Sequence, residues 1–150
     1  MQDYTVCFFG HRELCDLERI EARLTPILTE LIRTHDYVSF LIGRNGEFDE
    51  FVASVIKRIQ KAVEMRNNEM TLILPYTVSN LPYYETYYDS VLIPEPLHRV
   101  HPKAAITLKN RWMIEQSDLV IVNVERQSGG AYAAMKYAQQ LQKPIINIAR

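Results

Sequence analysis

The chain has 150 residues, 47% of them hydrophobic, with 17 basic side chains against 18 acidic ones. That length suits one domain, residues 1–150, able to bury roughly 68–70% of its unfolded surface without help from a disulfide or a metal. The near-cancelling charge does not announce a nucleic-acid or membrane partner, and no apolar run approaches the roughly 20 residues of a membrane span. Cys7 and Cys15 form no CxxC pair, and the opening MQDYTVCFFG lacks the basic start and long apolar core of a signal peptide. Both features point to a reducing, cytoplasmic location.

In chain order, Tyr4 to Phe9 reads as a first strand, followed by Gly10-His11-Arg12-Glu13. A helix comes next, with Leu17, Ile20, Leu24, Leu28, Leu31 and Ile32 at helical spacing. Pro26 inside it is expected to kink or shorten it. Tyr37 to Ile42 is a second strand, leading into Gly43-Arg44-Asn45-Gly46-Glu47-Phe48-Asp49 and a helix that carries Phe51, Val55, Ile56, Ile59 and Val63 on one face. Met70 to Pro75 is a third strand. The stretch from Asn80 to Asp89 then sets Tyr83, Tyr84, Tyr87 and Tyr88 among prolines without a strand's alternation. It reads either as a surface loop packing its rings on the sheet rim or as a lid or contact surface, tyrosine offering apolar area with a polar tip. Val91-Leu92-Ile93 suits one more short strand, and Pro94 and Pro96 argue against helix there. From Pro102 a helix is expected with Ala105, Leu108 and Trp112 on its buried face.

The last thirty residues repeat the strand–loop–helix–strand pattern most clearly. Leu119 to Val122 is continuously apolar, as befits a strand covered on both faces. Ser128-Gly129-Gly130 breaks the run, Ala133, Ala134, Tyr137, Ala138 and Leu141 return at helical spacing, and Ile145, Ile146 and Ile148 follow Pro144 as a strand. Strands alternating with helices predict an α/β fold, a single Rossmann-like three-layer domain around a mostly parallel five-stranded sheet of order 3-2-1-4-5. Its crevice falls where the order reverses, above the carboxyl ends of strands one and four.

Several residues are placed to meet a ligand there. Gly129 and Gly130, next to Ser128, stand where a helix begins, and its free N–H groups and dipole favour an anion. A tight turn alone would also account for two adjacent glycines. His11 and Arg12 leave the first strand at the crevice mouth, Arg12 offering a fork suited to phosphate or carboxylate or pairing with Glu13 on the surface. Gly43 and Gly46 make a second tight turn, after which Asp49 either caps the helix or receives a ribose hydroxyl. Arg111 is either a solvated charge or a ligand contact. A local basic patch of Arg44, Lys57, Arg58 and Lys61 is the one feature that favours nucleic acid. No GxxxxGK[ST] loop and no Ser/His/Asp nucleophile arrangement is present, so no catalytic residue, metal or cofactor is assigned.

The block from Lys109-Asn110-Arg111-Trp112-Met113 through Ser117-Asp118-Leu119-Val120 to Ser128-Gly129-Gly130 resembles the pattern of the SLOG superfamily. These are Rossmann-like domains related to DprA/SMF and to the LOG phosphoribohydrolases, and the nearest resemblance is to the YpsA-like branch. Gly43 to Asp49 is similar to the glycine-x-x-glycine-x-x-aspartate motif of DprA and YpsA-like domains, and Gly10-His11-Arg12 to the first motif, glycine followed by a basic residue. Two positions depart: Lys109 stands where DprA-type motifs tend to carry arginine, and Ala131-Tyr132-Ala133 replaces the glycine-threonine step of LOG enzymes. The resemblance implies a small phosphate-containing, nucleotide-type ligand in the crevice, bound or sensed without catalysis, and a homo-oligomer. It also implies two rivals: a single-stranded DNA-binding module like DprA, and a nucleoside monophosphate phosphoribohydrolase like LOG. Against the last, the LOG glutamate position falls on Lys136, whose ammonium would oppose the positive charge that develops on the sugar.

Overall fold

The computed structural model describes residues 3–150. Six strands alternate with five helices: β1 Asp3–Gly10, α1 Leu17–Thr34, β2 Tyr37–Ile42, α2 Glu47–Val63, β3 Asn68–Ile73, α3 Leu81–Tyr87, β4 Ser90–Leu92, α4 Pro102–Gln116, β5 Leu119–Asn123, α5 Gly129–Gln140 and β6 Ile145–Asn147. A 3₁₀ turn at Glu95–Leu97 precedes α4. The strands form one sheet of order β4-β3-β2-β1-β5-β6, and every pairing is parallel. The expected five-strand order is therefore present, with the short β4 added at one edge. The Val91–Leu92 run forms it.

Side chains of β1 alternate between two apolar layers. Val6 and Phe8 join the stripe Ile20, Leu24, Leu28 and Ile32 of α1 and the buried face of α2. Cys7 and Phe9 join Met113 and Ile114 of α4 and Ala131, Ala134 and Ala138 of α5. Burial pushes the Cys7 thiol up to about 12, which leaves it a packing group. Among the described residues no helix is long and apolar enough to cross a membrane.

Four expectations about the helices need correction. Pro26 does not shorten α1, which runs unbroken through it; buried Leu24 and Leu28 on either side supply the packing that outweighs one lost hydrogen bond. The buried face of α4 is Ala105, Lys109, Met113 and Ile114, while Leu108 is 37% exposed and Trp112 only half-buried. The buried face of α5 is Ala131, Ala134 and Ala138, so Ala133 and Leu141 point outward. The tyrosine stretch is a short helix, α3, started by Pro82 in its first turn, with Tyr88 buried just beyond its end.

Candidate functional site

The chain leaves β1 toward β2, β3 and β4, then returns to place β5 on β1's other side. Gly10 pairs in register with Asn123, so the loops after β1 and β5 leave the sheet side by side. His11 ties them together: its Nε2 accepts the backbone N–H of Glu125 at 3.1 Å and that of Arg126 at 3.4 Å. An accepting ring nitrogen carries no proton, so this geometry requires neutral imidazole protonated on Nδ1. Burial lowers the His11 pKa, the Arg126 charge lowers it further, and Glu125 opposes both.

A depressed histidine pKa means that the unfolded chain takes up the proton first as pH falls below 6.5. Stability is therefore expected to decline on acidification through that window. In His11→Gln the amide oxygen accepts at every pH, so this component of the decline disappears. Urea denaturation from neutral to mildly acidic pH measures it; a parent and variant with the same pH slope would refute the His11 tie.

The five glycines divide by what a side chain would meet. A Cβ on Gly10 would lie 2.3 Å from Cγ of Phe48, and one on Gly46 would lie 2.8 Å from the backbone of Arg12. One on Gly43 would lie 2.6 Å from Nζ of Lys109 and 3.3 Å from Oδ2 of Asp49. These three are glycine so that neighbours can approach. Gly129 and Gly130 have nothing within 4 Å of that position. Of the five, only Gly129 has a left-handed backbone, φ +88°, a conformation that favours glycine. The pair thus faces open space at the N-terminus of α5, a helix of 12 residues.

That space is a cleft of about 400 Å³ whose walls include Gly10, His11, Arg12, Asn45, Asp49, Asn110 and Arg126, with Gly129 and Gly130 at one side. The Asn110 side-chain oxygen is buried there without a hydrogen-bond partner. Asp49 is 8% exposed and accepts the N–H of Asn45 at 2.9 Å; burial raises its pKa, and the Asn45 bond and the Lys109 charge oppose that rise. Lys109 is 1% exposed, and burial lowers its pKa to about 8. Both groups face Gly43, and of the three only Asp49 lines the cleft.

Of the residues expected at the crevice, Gly10, His11, Arg12, Asp49, Gly129 and Gly130 line it. Gly43 and Gly46 instead shape its wall through packing, and Ser128 sits at the α5 N-cap position without making a side-chain cap bond. Arg111 does not join them: it is exposed on α4, its guanidinium 5.1 Å from the Tyr137 ring centroid, in the groove between α4 and α5. Lys136 is exposed on α5, outside the cleft. Sequence reasoning passed over Asn45, Asn110 and Arg126 as ligand contacts. Their signal is position, since Asn45 and Asn110 lie within the motifs and Arg126 stands two residues before Ser128.

Fold and crevice together define a doubly wound parallel α/β domain with an opening at its topological switch point. No protein-family model matches the sequence, and no curated protein matches it. Among solved structures the chain is similar to DNA processing protein A (DprA) from Helicobacter pylori, with a TM-score of 0.62 and 15% sequence identity over 95% of this chain. The match spans 63% of that protein's chain. That protein's structure was determined for its single-stranded DNA binding mode. At this identity the likeness is one of fold, and it falls on a protein that the crevice motifs also resemble.

Proposed function

We propose that the crevice binds the phosphate of a nucleotide unit, and that the ligand presenting it is single-stranded DNA. The observation that carries the first part is the open ground over Gly129 and Gly130, where nothing packs and unpaired N–H groups of α5 begin. Arg12 and Arg126 supply charge on the same cleft, and Asn110 adds a polar group to its lining. The second part draws on the likeness to a DNA-binding protein. A fold alone does not fix function, so a free nucleotide is the second reading. The chain's formal net charge of −1 and the small size of the cleft favour it. Membership of the YpsA-like branch and homo-oligomerisation belong to the same proposal and rest on the motifs. So does binding without cleavage, whose remaining support is that the position of the LOG glutamate carries a lysine, Lys136, and no carboxylate.

The test is fluorescence anisotropy with a labelled oligothymidylate, alongside a labelled mononucleotide, over a range of salt. Binding to a strand should weaken with a slope of about −0.7 per phosphate neutralised, several times steeper than for one small phosphate. Gly130→Asp puts a carboxylate into the open space and should weaken both ligands about 10-fold or more while leaving the melting temperature close to the parent's. Parent-like affinity in Gly130→Asp would place the site elsewhere. Mononucleotide binding without oligonucleotide binding would decide for the second reading.

A further inference from the structure

The tyrosine stretch and the basic residues of α2, separate in sequence, meet on one outer face. Tyr83, Tyr84, Tyr87 and Tyr88 with Arg44 and Glu50 line a pocket of about 260 Å³. None of the residues of α3 is buried, and Tyr83 is 60% exposed. The rings hold one another edge-to-face, with centroids 5.5 Å apart for Tyr83 and Tyr84, 6.4 Å for Tyr84 and Tyr88, and 5.1 Å for Tyr87 and Tyr88. Buried Tyr88 anchors the group to the core. Aromatic rings fixed in this way lose little entropy when a further flat group stacks on them.

The same face carries cations. The Arg44 guanidinium lies 4.6 Å from the Tyr84 centroid and is held by Glu50 at 2.8 Å. Lys57 Nζ lies 4.3 Å from the Tyr87 centroid. Lys57 and Lys61 line the next hollow along α2. Arg58 is neutralised by Glu21 at 2.8 Å, whereas no carboxylate lies within 4.0 Å of Lys57 or Lys61 among the described residues. Glu85 is the one acidic residue of α3. A pocket built to bury an aliphatic side chain would have no use for exposed phenols and lysines. A base has a flat face for the rings, and its phosphate suits the lysines.

We infer that the face formed by α2 and α3 is a second nucleic-acid site, a platform on which bases of a single strand stack on the tyrosines while Lys57 and Lys61 meet the backbone. Stacking platforms beside basic grooves are the common means of holding single strands without reading sequence. The platform adjoins the crevice through one loop: Arg44 lines the tyrosine pocket and the next residue, Asn45, lines the crevice. One strand can therefore occupy both. This inference rests on the single-stranded DNA reading of the crevice, and the experiment separates the two.

The labelled oligothymidylate and mononucleotide are titrated into the parent, Tyr83→Ala, Tyr84→Ala, Tyr83→Phe and the double variant Lys57→Ala/Lys61→Ala, with Gly130→Asp alongside. Thermal melts confirm that each variant is folded. Each alanine at a tyrosine should weaken oligonucleotide binding by about 5- to 100-fold and leave mononucleotide affinity unchanged, while Tyr83→Phe keeps the parent's affinity. The lysine double variant should flatten the salt slope by about 1.4, or 0.7 per lysine. If Gly130→Asp weakens the oligonucleotide and the tyrosine variants do not, the crevice reading stands and the platform is overturned. If only the tyrosine variants weaken it, the platform stands and the crevice reading falls. A parent that binds no oligonucleotide, or a face that instead holds a protein, overturns the platform outright.

Discussion

Gly10→Ala is expected to lose about 2–3 kcal/mol of folding stability, as overpacked cores typically do. The added methyl would lie 2.3, 2.5 and 2.7 Å from three atoms of the Phe48 ring. That ring is completely buried in the first turn of α2, so it cannot swing into solvent. Interiors this dense yield only by shifting backbone. The unfolded-state entropy that alanine removes offsets roughly 0.4–1 kcal/mol of the loss. Phe48→Leu in the Gly10→Ala background should recover part of the loss although it destabilises the parent, giving a coupling of at least about 1 kcal/mol in a double-mutant cycle. Gly130→Ala makes the control: with open space around it, it should be neutral or stabilise by up to about 1 kcal/mol. Urea midpoints decide, and a Gly10→Ala protein as stable as the parent would sink the argument.

The second large effect is a pH dependence set by Lys109. Folding hides its ammonium almost completely, and its pKa falls from 10.5 to about 8. Below pH 8 the folded state bears the full cost of that buried charge. Between about pH 8 and 10.5 the folded chain has released the proton while the unfolded chain still holds it. Stability from this group therefore rises with pH through that window, by roughly 3 kcal/mol for the shift of about 2.5 between those two values. The comparison is best made in Asp49→Asn, so that a carboxylate with its own raised pKa does not titrate nearby. Asparagine still offers an oxygen to the Asn45 N–H. Removing the carboxylate also removes the charge that favours the ammonium, which widens the window at its lower end. Adding Lys109→Met to Asp49→Asn should abolish the rise, because methionine fills similar space without a proton to lose. Denaturation across the alkaline range measures it; equal slopes with and without Lys109 would refute the buried-ammonium account.

Lys109 also shows where sequence reading stopped. The strands were legible because Val6–Phe9, Phe40–Ile42 and Leu119–Val122 are continuous apolar runs of the kind that a sheet covered on both faces buries. The face of α4 was not, because a lysine is excluded from a core by habit. The face chosen instead was Ala105, Leu108 and Trp112, which left Lys109 out. One residue is about 100° of helix, so Lys109, Asn110 and Arg111 reach three different surroundings: core, cleft and outer groove. Adjacency in the motif therefore said little about shared surroundings, and Arg111 lies in the groove next to the crevice. The glycines carry the same lesson. Gly10 and Gly130 are indistinguishable as letters, and what separates them is a phenyl ring from another element in one case and empty space in the other. The tyrosine stretch was read as a surface loop or lid, but Pro82 sits in the first turn of α3, where it costs nothing.

The position of β5 has a consequence for how the molecule comes into being. One edge of β1 is closed by a strand more than a hundred residues later, as the Thr5 to Asp118 hydrogen bond across 113 positions records. During synthesis the strands β1 to β4 emerge first, and Val6 to Phe9 then present unpaired backbone on an apolar, unguarded edge. Such an edge is a template for pairing with another chain. That seam ends beside the crevice, where Gly10 pairs with Asn123, so binding competence and protection of this edge depend on the same docking step. A substitution that delays the docking of β5 would cost yield from the ribosome while leaving the affinity of the finished protein unchanged.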